Sequence, residues 1–135
     1  MLTLVTMVTV RAVTAVARHS IVKSWAVSVV GFVNAVRTER NVALVCAFMV
    51  LAVIISAWLR ISAIEWVIVV LCCGLVLITE LVNTAIEAVT DLACEERHPL
   101  AKIAKDTAAA ATLAASVTSL IIACIIFGPR IFALL

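Results

Sequence analysis

Three long stretches without a charged residue restrict what this sequence can fold into. They are residues 42–59, residues 66–79 and residues 107–127. A helix needs about 20 apolar residues to cross the roughly 30 Å hydrocarbon core of a bilayer. The pattern therefore predicts an all-α integral membrane protein with three transmembrane helices, over residues 42–59, 64–90 and 107–127.

The composition agrees with a membrane protein and excludes other classes. Hydrophobic residues make up 66% of the 135 residues and charged residues 13%, whereas a soluble domain is about half apolar. Ten basic residues against eight acidic ones leave a net charge of +2, which gives no electrostatic footprint for nucleic acid. We therefore treat residues 1–135 as one membrane domain that does not bind nucleic acid.

The five cysteines are expected to be packing residues and not a disulfide framework or a metal site. They are Cys46, Cys72, Cys73, Cys94 and Cys124. At the amino terminus, an apolar stretch precedes the first charged residue, Arg11, which reverses the order of a secretory signal. We expect no cleaved leader, and whether residues 1–19 extend a helix or form an irregular end stays open.

The basic residues predict how the chain crosses the membrane. Five of the ten precede the first span and three lie between the second and third, while only Arg60 and Arg130 fall on the other side. Cytoplasmic segments of membrane proteins carry an excess of Lys and Arg. The amino terminus and the long polar connection are therefore predicted to face the cytoplasm.

Residues 20–38 have the spacing of an amphipathic helix. A helical repeat places five large apolar residues on one face, namely Ile21, Trp25, Val29, Phe32 and Val36. Polar residues such as Lys23 and Arg37 lie elsewhere around the helix. We expect this segment to lie on the membrane surface.

Carboxylates gather at the end of the second predicted span. Glu80, Asn83, Glu87 and Asp91 fall within a sector of about 80° on a helix, and Glu80 lies about 10 Å deeper than Glu87. Carboxylates at such depth are costly, so function is the default hypothesis. Pairing with cations is a weak alternative for Glu80 and Glu87, because the other spans carry no internal cation. For Asp91 both interpretations stay open.

The surrounding residues suggest phosphoryl transfer. Glu39 and Glu87 could hold a hard divalent cation through oxygen ligands, and magnesium needs few carboxylates when phosphates complete its shell. Lys105, in the pair Lys105-Asp106 that opens the third span, could neutralise charge on a transferring phosphoryl group. Glu80 could take a proton from a hydroxyl that arrives in the membrane plane.

These motifs resemble the prokaryotic diacylglycerol kinase family of small membrane lipid kinases. The resemblance rests on "ELVNTAIEAVTD" and "ERHPLAKIAKD", with Gly31 upstream and Glu39 in "TERN", and covers roughly residues 24–127. It implies that Glu80 is the catalytic base acting on the lipid hydroxyl. It also implies that Glu39 and Glu87 are ligands of the magnesium ion bound to ATP.

Further roles follow from the same resemblance. Asn83, Lys105 and Asp106 would line the phosphate and nucleotide site, and Glu96 and His98 would lie near the adenine. The family fold implies three transmembrane helices plus an amino-terminal amphipathic surface helix. It also implies a homotrimer in the bacterial cytoplasmic (inner) membrane, with active sites shared between subunits and facing the cytoplasm.

The residues of these motifs favour one substrate. "ERN" and "HPLAKIAKD" are closer to the Gram-positive branch of the family, whose members resemble undecaprenol kinases. We therefore expect ATP-dependent phosphorylation of undecaprenol, with diacylglycerol as the alternative acceptor. A proton-coupled transporter using Glu80 is the alternative of another class, and a non-catalytic membrane partner is a third.

Overall fold

The computed structural model describes residues 21–93 and 98–134, and the secondary structure within them is helical. Four helices follow one another: α1 Ile21–Thr38, α2 Arg40–Trp58, α3 Ala63–Ala93 and α4 Pro99–Phe132. The last three are each long and apolar enough to cross a membrane. This confirms the predicted all-α fold with three such helices. The expectations for residues 1–19, Cys94 and Glu96 concern residues outside the described ranges.

Two helices are longer than the uncharged stretches that predicted them. α3 continues to Ala93, and α4 begins at Pro99 instead of residue 107. Pro99 occupies the first turn of α4, and the His98 ring accepts a hydrogen bond from the Leu100 backbone N–H at 3.2 Å. Proline at this position and a capping side chain both favour a helix start. A charged residue can end a membrane span without ending the helix.

A short turn joins α2 to α3. Arg60 in this turn has a φ of 49°, in the left-handed region that reverses the chain. The Ser62 backbone N–H donates to Glu65 Oε2 at 2.7 Å, and the Glu65 N–H donates to Ser62 Oγ at 3.4 Å. These reciprocal bonds form a capping box at the start of α3. Arg130 of α4 donates to the same Glu65 oxygen at 2.8 Å, so this turn is tied to the end of α4.

The described chain divides into two compact units, one ending at Asn34 and one beginning at Ala35. In the second unit α3 packs along α4 and also contacts α2. Ser119 Oγ of α4 donates to the Cys72 carbonyl of α3 at 3.5 Å, and the two helices run antiparallel. Few large apolar side chains are buried. Helices that are apolar all round are typical of membrane spans.

Candidate functional site

A cavity of about 490 Å³ lies between α2, α3 and α4. Its lining is mostly apolar, with five polar side chains: Asn41, Glu80, Thr112, Ser116 and Ser119. Of the described residues on its wall, Glu80 is the one carboxylate. A largely apolar cavity of this size with a few polar groups is typical of a ligand site.

Glu80 is buried on the cavity wall. Its side chain is only 5% exposed, and it forms no hydrogen bond or ion pair with any other described residue. Burying a carboxylate without a partner is unfavourable for folding. A buried carboxylate without a partner among the described residues makes Glu80 a candidate functional group.

Asn83 and Glu87 form a polar pair in the carboxyl-terminal half of α3. Asn83 is buried, and its Nδ2 donates to Glu87 Oε1 at 2.9 Å. The i, i+4 spacing on a helix brings the two side chains together. Asn83 Oδ1 is also buried and has no hydrogen-bond partner among the described residues. The pair therefore presents oxygen atoms of the kind that hard divalent cations prefer.

Lys105 links α4 to α3 through an ion pair with Asp91. The sequence left the role of Asp91 open, and the structure gives it a cation on the neighbouring helix. Asp106 instead pairs with Lys102 of the preceding turn at 2.7 Å, with both side chains exposed. The contacts thus bring Lys105 to α3 but not Asp106.

Glu39 immediately precedes α2 and is half-buried. It occupies the N-cap position without capping the helix through its side chain, and it accepts a hydrogen bond from Thr38 Oγ1 at 3.5 Å. His98 is the N-cap residue of α4, and Glu96 lies outside the described ranges. Within those ranges, no three His, Cys, Asp or Glu side chains gather into a metal site.

Sequence reasoning did not single out the hydroxyl-bearing wall of the cavity. Thr112, Ser116 and Ser119 of α4 recur at i, i+4 and i+7 and line the cavity together with Asn41 of α2. This spacing places residues on one face of a helix. Applying the helical repeat to small polar residues, and not only to charged ones, would have found this face.

Comparisons with known proteins add independent findings. The family described as "Prokaryotic diacylglycerol kinase" matches residues 26–127. An undecaprenol kinase from Bacillus subtilis is 42% identical over 101 residues, which cover 75% of this chain and 82% of that protein. A diacylglycerol kinase from Escherichia coli K12 is 42% identical over 78 residues, covering 58% and 64% of the two chains. One from Pseudomonas aeruginosa is 39% identical over 88 residues, covering 65% and 72%.

Proposed function

This chain belongs to the prokaryotic diacylglycerol kinase family and is a membrane lipid kinase that uses ATP, and we propose that its acceptor is undecaprenol. The observation that carries the proposal is the buried, unpartnered Glu80 on the wall of an apolar cavity. Such a wall suits a hydrocarbon chain, and the carboxylate suits the alcohol at its end. The similarity to the Bacillus subtilis undecaprenol kinase over 75% of the chain supports the choice of undecaprenol.

Glu80 acts as the general base. The lipid hydroxyl donates its proton to the Glu80 carboxylate while its oxygen forms a bond to the γ-phosphorus of ATP. The bond between that phosphorus and the bridging oxygen breaks, and ADP leaves. The burial of Glu80 keeps water away from the carboxylate, which favours transfer to the lipid over hydrolysis.

Magnesium accompanies ATP at the cytoplasmic end of α3. Glu87 and Glu39 would hold it, and the unpartnered Asn83 Oδ1 adds an oxygen of suitable chemistry beside Glu87. When bound, the ion neutralises charge on the phosphates. One or two carboxylates with substrate phosphates make up a usual magnesium shell, which fits the sparse set of carboxylates in the described chain.

The start of α4 binds the nucleotide. Lys105, held near α3 by Asp91, neutralises the phosphate charge, and Asp106 lies beside it in the sequence. His98, at the start of α4, would lie near the adenine together with Glu96. A soluble nucleotide reaches these residues from the cytoplasm, whereas the lipid reaches Glu80 from the bilayer.

The protein works as a homotrimer in the bacterial cytoplasmic membrane. Its large exposed apolar side chains, such as Phe48 and Leu71, provide surface for lipid and for other copies of the chain. Shared active sites would also supply metal ligands that one chain lacks in its described part. The exposed Trp25 and Phe32 of α1 suit a helix on the membrane surface, and the excess of basic residues supports a cytoplasmic active site.

Phosphoryl transfer to purified lipids tests this function. Wild-type protein in detergent micelles receives magnesium-ATP with undecaprenol or with a diacylglycerol, and Glu80→Gln serves as the blank. We expect faster transfer to undecaprenol. Several relatives are named diacylglycerol kinases. Faster transfer to diacylglycerol would make that lipid the acceptor and leave the proposed kinase reaction unchanged. The transporter alternative is not supported, because the matching family and relatives are kinases.

A further inference from the structure

We propose that the Thr112 hydroxyl positions the acceptor alcohol against Glu80, an inference that rests on the kinase function proposed above. Thr112 and Glu80 line the same cavity. Thr112 Oγ1 is buried and has no hydrogen-bond partner among the described residues. Thr112 thus presents a hydroxyl, and Glu80 a carboxylate, to one apolar space.

Among the hydroxyls of the described helices, that of Thr112 is distinguished by being buried without a hydrogen-bond partner. Serine and threonine on a helix commonly donate to the carbonyl four residues back. Ser56, Thr90 and Thr107 do so, each at 2.7 Å. Thr112 makes no such bond, although valine would fill the same space without leaving a polar atom unsatisfied. A buried hydroxyl without a partner disfavours folding, so its position calls for a partner in the ligand.

Helix register assigns Thr112 to the depth of Glu80. On α4, Thr112 follows Lys105 by seven residues, and on α3, Glu80 precedes Glu87 by seven residues. Seven residues return to nearly the same face about 10 Å along a helix. The contact between Ser119 and the Cys72 carbonyl fixes the register of the antiparallel α3 and α4. Seven residues from this contact, Thr112 lies opposite the residue before Glu80. Seven residues further, Lys105 lies opposite the residue before Glu87. The level of Lys105 and Glu87 suits the nucleotide and its metal, and the level of Thr112 and Glu80 suits the alcohol.

The chemistry of the alcohol oxygen requires two hydrogen-bond partners. Its proton goes to the Glu80 carboxylate, and one of its lone pairs forms the new bond to phosphorus. The Thr112 O–H donates to the other lone pair and is not consumed. This bond fixes the direction of the attacking lone pair, and such orientation lowers the barrier to reaction. Thr112 is therefore a positioning residue for the acceptor alcohol.

Thr112→Val tests the proposal in the full-length protein in micelles. We expect kcat/KM for undecaprenol to fall about tenfold, the effect of one hydrogen bond, with KM for magnesium-ATP unchanged. The thermal unfolding midpoint should stay the same or rise, because the variant removes an unsatisfied hydroxyl. Thr112→Ser keeps the hydroxyl and should retain most of the activity. Thr118→Val, at an exposed position on the same helix, is the matched control and should behave as wild type.

The possible results distinguish a failure of the role of Thr112 from a failure of the kinase function. Wild-type kinetics in Thr112→Val would overturn the role of the hydroxyl while leaving the kinase function intact. A lower unfolding midpoint together with losses for both substrates would make Thr112 a packing residue and also overturn the proposal. Wild-type protein that phosphorylates neither undecaprenol nor diacylglycerol would overturn the proposed function, and the role of Thr112 with it.

Discussion

Replacing Glu80 by Gln should nearly abolish phosphoryl transfer and leave the fold intact. Glu80 is 5% exposed, and no other carboxylate among the described residues lines the cavity, so no neighbour can take over as base. A general base contributes about 10²- to 10⁴-fold to a rate, which corresponds to about 3–5 kcal/mol of activation free energy. The amide has nearly the same shape and breaks no contact within the described chain. Turnover should therefore fall at least about 100-fold, with the unfolding midpoint the same or higher, because the variant removes a buried unpaired carboxylate.

The assay measures lipid phosphorylation and the KM for magnesium-ATP on the same preparations. Because Glu87 lies about 10 Å from Glu80 along α3, the KM for magnesium-ATP should stay at its wild-type value. Glu80→Asp is the matched variant, since it keeps the charge and withdraws the carboxylate by one methylene. A misplacement of about 1 Å can cost about 100-fold, so Asp should also be severely impaired. Turnover of Glu80→Gln within about tenfold of wild type would refute the assignment of Glu80 as the base.

Three further predictions concern the ends of α3 and α4. Glu87→Gln should raise the magnesium-ATP concentration at half-maximal rate by about tenfold, because one anionic oxygen is lost, and an unchanged magnesium titration would remove Glu87 from the metal site. Lys105→Met should lower kcat about 100-fold or more, whereas Asp91→Asn, at a side chain that is 70% exposed, should stay within about threefold. If kcat in steady-state assays fell equally in Lys105→Met and Asp91→Asn, Asp91 would have a part in the reaction. Arg130→Ala should lower the unfolding midpoint in detergent by a few degrees and leave kcat unchanged. The reason is that the contact between Arg130 and Glu65 joins helix ends far from Glu80. An unchanged midpoint would show that this contact does not stabilise the protein.

The membrane helices could be predicted because the lipid bilayer excludes charged side chains and backbone groups that lack a hydrogen bond. The uncharged residues 42–59 anticipated α2, which spans Arg40–Trp58. The start of α4 at Pro99 was missed, because hydropathy locates the membrane boundary and not the helix boundary. His98 as a cap and proline in the first turn are local signals that a hydropathy argument does not use.

The polar stripe on α3 could also be predicted, since helix geometry alone fixes which residues share a face. The hydrogen bond between Asn83 and Glu87 follows from that spacing, while their assignment to a metal site stays a prediction. Contacts between helices could not be predicted from the sequence. The pairing of Lys105 with Asp91 depends on how α3 packs against α4. Thr112 and Thr90 look alike in the sequence, and only packing and rotamer decide that one hydroxyl stays unpaired.

Competition between two acceptors tests the central claim most directly. Purified protein is placed in vesicles that hold undecaprenol and a diacylglycerol at equal concentration, and labelled phosphate from magnesium-ATP is followed into each lipid. The ratio of the initial rates equals the ratio of the two kcat/KM values. We predict that most of the label enters undecaprenyl phosphate and that Glu80→Gln transfers none to either lipid. Preferential labelling of phosphatidic acid would contradict the proposed acceptor, and label in neither lipid would contradict the kinase function itself.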